Sequence, residues 1–125
     1  MTRLEHVNIT VSDPQRSATM MEAIFGWKTR WQGSSIHGGF TIHVGSDIDY
    51  IAFYKPPNGL EKGPDSYFQI KGLNHVALVV DDLDAIEAAV LKYGFQTSNQ
   101  ADYEPGRRFY FHDHDDVEYE VVSYA

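Results

Sequence analysis

There is no cysteine anywhere in the 125 residues, so disulfides, thiolate catalysis and cysteine-ligated zinc are all excluded. Long apolar runs are missing as well: no stretch approaches the roughly 18 residues of a membrane-spanning helix. The opening Met1-Thr2-Arg3-Leu4-Glu5-His6 lacks the apolar centre of a secretory signal, and a soluble, cytoplasmic protein is the expectation. Basic residues are scarce. Ten Lys and Arg face 18 Asp and Glu, and the formal charge of −8 argues against a general binder of nucleic-acid phosphates. What the chain does have is core material: 42% apolar residues, with eight Tyr, seven Phe and two Trp. That is too much for a disordered chain, and the length suits one compact domain.

The sequence is written twice. Leu4-Glu5-His6-Val7-Asn8-Ile9-Thr10-Val11-Ser12-Asp13 recurs as Leu73-Asn74-His75-Val76-Ala77-Leu78-Val79-Val80-Asp81-Asp82, at an offset of 69. Phe25-Gly26-Trp27-Lys28-Thr29 is echoed by Tyr93-Gly94-Phe95-Gln96-Thr97 at offset 68. Near the end, Phe40-Thr41-Ile42-His43 matches Phe109-Tyr110-Phe111-His112, and Asp47-Ile48-Asp49-Tyr50 matches Asp116-Val117-Glu118-Tyr119. Blocks in one order at nearly one offset define module 1 (1–54), a linker (55–71) and module 2 (72–125), together one domain.

Each module opens with a strand whose residues alternate in character. Val7, Ile9 and Val11 lie on one face, and His6, Asn8 and Thr10 on the other; Val76, Leu78 and Val80 alternate with His75, Ala77 and Val79 in the same way. A helix follows in both. Asp13 caps the first, with Pro14 at its first position and Gly26 at its end, while Asp82 and Gly94 bracket the second. Strands are then expected at about Lys28–Gln32, Gly39–Val44, Tyr50–Tyr54, Gln96–Asn99, Arg108–His112 and Glu118–Ser123. The order is β-α-β-β-β, twice, an α+β chain of two tandem βαβββ modules forming an open, cleft-enclosing mixed sheet. The apolar faces pack on the helices, so His6 and His75 point away from them.

Equivalent histidines on equivalent strands can converge if the modules pack about a pseudo-two-fold axis. Glu118 and Glu120, two apart on the last strand, share a face, and either would complete a 2-His-1-carboxylate set. Structural hydrogen bonding is the bland alternative for each histidine. His43 and His112 are matched by the repeat but end their strands beside turns, and His37 and His114 sit in turns where solvation is expected.

These blocks resemble the vicinal oxygen chelate superfamily, the glyoxalase/bleomycin-resistance/dioxygenase-like proteins. The residues that carry the likeness are Leu4-Glu5-His6-Val7 with Ser12-Asp13-Pro14, Phe25-Gly26-Trp27, Leu73-Asn74-His75-Val76 with Val80-Asp81-Asp82-Leu83-Asp84, and Asp115-Asp116-Val117-Glu118-Tyr119-Glu120-Val121. The resemblance implies the glyoxalase fold and a divalent metal (Fe, Mn, Ni or Zn) on His6, His75 and Glu120. Ile51, or Ala52 after a one-residue slip, stands where a fourth ligand would be, and neither can ligate. Two His and one Glu look more like the extradiol dioxygenase or fosfomycin-resistance branches than like glyoxalase I with its paired glutamates. The implied activity is metal-dependent chemistry of the lyase or dioxygenase kind on a small molecule that presents neighbouring oxygens. The alternative is a metal-free antibiotic-sequestering protein of the bleomycin-resistance type.

Tyr110 and Glu118 are candidates for proton donor and acceptor, with packing or a solvated face as the plain alternative. Arg107 and Arg108 are candidates to steer an anionic substrate, against a surface salt bridge. Asn8 and Phe53 complete the expected substrate contacts, although the aromatics are mostly core. The apolar residues near Trp31 and in the linker point to a homodimer. No nucleic acid or membrane partner is expected.

Overall fold

The computed structural model describes residues 1–103 and 106–125; Glu104 and Pro105, in the run leading to the two arginines, lie outside the described residues. The strands and helices are β1 (His6–Thr10), α1 (Pro14–Phe25), β2 (Lys28–Ser34), β3 (Phe40–Gly45), β4 (Tyr50–Lys55), β5 (Val76–Val79), α2 (Leu83–Tyr93), β6 (Thr97–Tyr103), β7 (Gly106–His112) and β8 (Glu118–Ser123). Short 3-10 turns occupy Ile36–Gly38 and Ser66–Phe68. The βαβββ order therefore occurs twice, as the alternation and caps imply. Two four-stranded mixed sheets form, one per module, in the orders β1-β4-β3-β2 and β5-β8-β7-β6. In each, the first strand runs parallel to the last and the other pairs are antiparallel.

The chain divides into two compact units, Met1–Glu61 and Lys62–Ala125. The second unit thus takes in much of the segment that the repeat leaves as linker. Among the described residues no helix is long and apolar enough to cross a membrane.

Local chemistry sets the helices. The Asp13 carboxylate accepts from the amides of Gln15 at 3.1 Å and Arg16 at 3.3 Å, and Asp82 accepts from Ala85 at 3.0 Å. Each such cap contributes about 1 kcal/mol. In the first unit α1 lies on β2, β3 and β4, burying Ala18, Met20, Met21 and Ile24 against Ile9, Ile42, Val44, Ile51 and Phe53. In the second, Leu83 and Val90 of α2 share the helix side of the sheet with Phe109, Phe111, Tyr119 and Val121. Side chains alternate along β1, so His6, Asn8 and Thr10 are left on the opposite, exposed face.

The strand registers correct the repeat. Val7 pairs with Ile51 while Val76 pairs with Tyr119, so Tyr50 corresponds to Glu118 and Ala52 to Glu120. The slipped alignment, with Ala52 opposite Glu120, is the one the strands adopt. On the neighbouring strands His43 pairs with Ala52 and Tyr110 with Glu120. The counterpart of His43 is thus Tyr110, and that of His112 is Gly45, which pairs with Tyr50 as His112 does with Glu118. The expected equivalence of His43 and His112 fails because the β7–β8 turn, residues 113–117, is one residue longer than the β3–β4 turn, residues 46–49.

That longer turn is organised around Asp113, whose Oδ1 accepts from the amides of Asp115 at 2.8 Å and Val117 at 3.0 Å. Its Oδ2 is buried and meets no donor among the described residues. His114, expected in solvent, has a side chain only 6% exposed, 3.5 Å from Asp115. Burial raises the Asp113 carboxyl above the ordinary carboxylate range, against the pull of its two amide hydrogen bonds. A carboxyl raised on folding stabilises most when protonated, and that contribution is lost as pH climbs through the folded value. Asp113→Asn keeps an acceptor for the amides and removes the charge. Its stability relative to the parent is expected to rise as pH climbs from about 4 and to level off once the folded carboxyl has ionised, read from urea midpoints. A flat or opposite difference would show that the ionised carboxylate is not disfavoured in this turn.

Candidate functional site

Chemistry-bearing side chains gather on the helix-free face of the second sheet. Alternation puts Glu118 and Glu120 of β8 on that face together with Arg108, Tyr110 and His112 of β7, and the register sets Tyr110 beside Glu120 and His112 beside Glu118. His75, immediately before β5, lies across both glutamates. Its Nε2 is 3.2 Å from Glu120 Oε1, and its Nδ1 is 3.4 Å from Glu118 Oε2. The Tyr110 ring meets the imidazole edge-on at 5.7 Å, and its hydroxyl donates to Glu120 Oε1 at 2.9 Å. Arg108 Nη1 donates to the other oxygen, Oε2, at 3.2 Å. This pair is only 13% and 11% exposed, so the guanidinium is committed to holding the carboxylate.

Glu118 is likewise engaged on both oxygens. Oε1 lies 3.3 Å from His112 Nε2, and Oε2 accepts a very short hydrogen bond from the Tyr67 hydroxyl. That hydrogen bond is the main reason the Tyr67 phenol is pushed up to about 12, so the hydroxyl remains a donor throughout the physiological range. Tyr67 comes from the 3-10 turn at Ser66–Phe68, and sequence reasoning did not single it out. A tyrosine in a loop with no periodicity carries no signal of its own.

Of the residues expected at a site, the structure brings together His75, Glu120, Glu118, Tyr110 and Arg108. His6 and Asn8 lie in the first unit on its exposed face. There His6 Nδ1 is 2.8 Å from Glu5 Oε1, and the Tyr50 hydroxyl donates to the same oxygen at 3.3 Å. The hydrogen bond with His6 is the leading cause that lowers Glu5 below the usual carboxylate range. The His6, Tyr50 and His43 rings cluster, with Tyr50 stacked on both imidazoles at 4.8 and 4.5 Å, and Trp31 lies tilted against His43 at 5.0 Å. Desolvation, followed by the nearby His6 and Arg30 charges, depresses the His43 imidazole.

Two expected substrate contacts are corrected. Phe53 is fully buried on the helix side of the first sheet, because it pairs with Ile9 and shares the parity of Ile51; it is core. Arg107 has the opposite parity to Arg108. Its Nη2 reaches Asp84 of α2 at 2.9 Å in an exposed salt bridge on the helix side.

The donors of the second unit can be tested against a metal. Two ligands held at about 2.0–2.2 Å by one ion stand roughly 3.0–3.5 Å apart in octahedral or tetrahedral geometry. His75 Nε2 and Glu120 Oε1, at 3.2 Å, already have that spacing. Arg108 takes the outer oxygen of Glu120, which leaves Oε1 turned to the imidazole. The pair fits. Among the described residues no group of three or more His, Asp or Glu forms a metal site, so two ligands are what the second unit itself supplies.

Comparison with known proteins gives the family described as the glyoxalase/bleomycin resistance protein/dioxygenase superfamily, which matches residues 5–111. No curated protein matches the chain to a significant degree. Among solved structures, a glyoxylase/bleomycin resistance protein/dioxygenase domain from Frankia sp. EAN1pec is 21% identical with a TM-score of 0.82, over 98% of this chain and 92% of that one. The fosfomycin resistance protein FosX of Mesorhizobium loti is 23% identical with a TM-score of 0.72, over 98% and 92%. FosX of Listeria monocytogenes, solved with Mn(II) and sulfate, is 16% identical with a TM-score of 0.71, over 98% and 93%. At these identities the likeness is one of fold.

Proposed function

Because the chain belongs to the glyoxalase/bleomycin resistance protein/dioxygenase superfamily, we propose that it is a metal-dependent enzyme acting on a small molecule with two neighbouring oxygens. His75 and Glu120 are two of the ligands in this reading. One observation carries it: an imidazole nitrogen and a carboxylate oxygen face each other at 3.2 Å, the spacing of two ligands on one ion. A divalent ion there would act as a Lewis acid on the bound oxygens. Mn(II) is the first ion to try, since a FosX structure of the same fold holds it.

The chain's own residues supply the setting. Arg108 and Tyr110 fix the Glu120 carboxylate, and Tyr110 carries a hydroxyl beside the ligand oxygen that can hold or pass a proton. Ala52 holds in the first module the register position that Glu120 holds in the second, so the paired glutamates of a glyoxalase I kind of activity are lacking, which favours the two-histidine, one-glutamate set.

Titration of chelator-treated protein with Mn(II), Fe(II), Ni(II) and Zn(II) by calorimetry tests the reading. We expect one ion per chain, with the binding lost in His75→Ala. A chain that takes up no ion in stoichiometric amount overturns the metalloenzyme and leaves the metal-free binder.

A further inference from the structure

Each repeated histidine has its Nδ1 turned to a carboxylate, and each carboxylate accepts from a tyrosine hydroxyl. In the first unit the series is Tyr50, Glu5, His6; in the second it is Tyr67, Glu118, His75, with the Tyr67 hydroxyl also 3.4 Å from His75 Nδ1 itself. The repeat did not simply copy this arrangement. The counterpart of Glu5 is Asn74, that of Tyr50 is Glu118 itself, and Tyr67 lies between the repeated blocks. The same three groups meet in the same order from different positions in the chain.

Resting on the metal reading above, we propose that Tyr67 and Glu118 are positioning residues that fix the proton of His75 on Nδ1 and so keep Nε2 as the free donor toward Glu120. Charge decides which nitrogen carries the proton. Glu120 already faces the Arg108 guanidinium and the Tyr110 hydroxyl, so it is the weaker acceptor of the two glutamates. Glu118 faces no guanidinium among the described residues; it accepts from the Tyr67 hydroxyl, whose oxygen also lies 3.4 Å from His75 Nδ1, and together these two groups receive the Nδ1 proton. Nε2 then presents a lone pair to Glu120 Oε1, and two lone pairs at 3.2 Å are reconciled by a cation between them. A carboxylate behind a ligating imidazole fixes its tautomer and ring angle in this way.

The loop that delivers Tyr67 is built for the purpose. Asp65 accepts from the Tyr67 amide at 3.1 Å, the Ser66 hydroxyl donates to Leu73 O at 2.5 Å, and the Gly72 amide donates to Gln69 O at 2.9 Å. A Cβ on Gly72 would lie 2.1 Å from Ser66 O, so only glycine closes this hook just before His75. The series in the first unit is more open, with His6 40% and Glu5 61% exposed against 31% and 15% for His75 and Glu118. Its hydrogen bonds compete with water, and its effect is expected to be the smaller one.

Tyr67→Phe removes one oxygen and tests the proposal. In metal-free protein at mildly alkaline pH, where imidazoles are ordinarily neutral, the ¹⁵N shifts of His75 should report the Nδ1–H form in the parent and a mixture of tautomers in Tyr67→Phe. Mn(II) affinity should fall about tenfold in Tyr67→Phe and in Glu118→Gln. Tyr54→Phe, which loses a hydroxyl bonded to Ile36 O at 2.9 Å in the first unit, should change neither readout. Unchanged His75 shifts in both Tyr67→Phe and Glu118→Gln would overturn the proposal. The shifts are read without metal, so a parent that binds no ion removes the metalloenzyme while the tautomer comparison still decides the role of Tyr67.

Discussion

Glu120→Ala is expected to abolish metal binding and to destabilise the second unit by about 2–3 kcal/mol. The carboxylate takes hydrogen bonds from Arg108 and Tyr110 and faces His75, so alanine removes one interaction from each of three polar groups at once. A guanidinium only 13% exposed then loses its contact with the Glu120 carboxylate. Losing one partner of a fully buried pair costs about 3–5 kcal/mol, and the residual solvent access here places the cost below that range. Glu120→Gln separates the two effects. The amide keeps the shape and an oxygen for Arg108 but gives up the charge that an ion needs. Mn(II) affinity should drop on the order of 100-fold, while the urea midpoint moves far less than in Glu120→Ala. Equal affinities in Glu120→Gln and the parent would remove this residue from the ligand set.

The largest loss of stability is expected from Phe53→Ala, at about 3–5 kcal/mol. Phe53 is fully buried between β1 and β3, paired with Ile9 and Ile42, on the side that α1 covers. Truncation removes a ring from a packed interior and leaves a cavity that the sheet cannot close. Domains of this size hold only about 5–15 kcal/mol in total, so the variant sits near its folding threshold. Chemical denaturation gives the magnitude. Under conditions where the variant stays folded, Mn(II) affinity should match that of the parent. A small loss of stability with a large loss of ligand affinity would instead return Phe53 to a pocket wall.

Much of this molecule could be read directly from its residues. Alternation at Val7-Asn8-Ile9 and Val76-Ala77-Leu78, with Asp13 and Asp82 as caps, announces strand and helix through neighbours two to four apart. The face of His75 follows from the same parity, as does the shared face of Glu118 and Glu120. The family likeness, legible in the repeated Leu-x-His-Val blocks, is what the match over residues 5–111 shows.

Other features were not written locally. Arg107 and Arg108 are adjacent and look interchangeable, yet parity sends one to Asp84 under α2 and the other to Glu120. The longer β7–β8 turn broke the expected match of His43 with His112, because pairing depends on how many residues a turn spends before the next strand begins. Tyr67 reaches Glu118 through a hook closed by hydrogen bonds among residues far from β8. By itself, then, the sequence determined the doubled βαβββ plan and the face on which the histidine and glutamates stand, since both rest on short-range periodicity. Only the tertiary structure decided which nitrogen meets which carboxylate, because strand register and loop closure are set by partners distant along the chain.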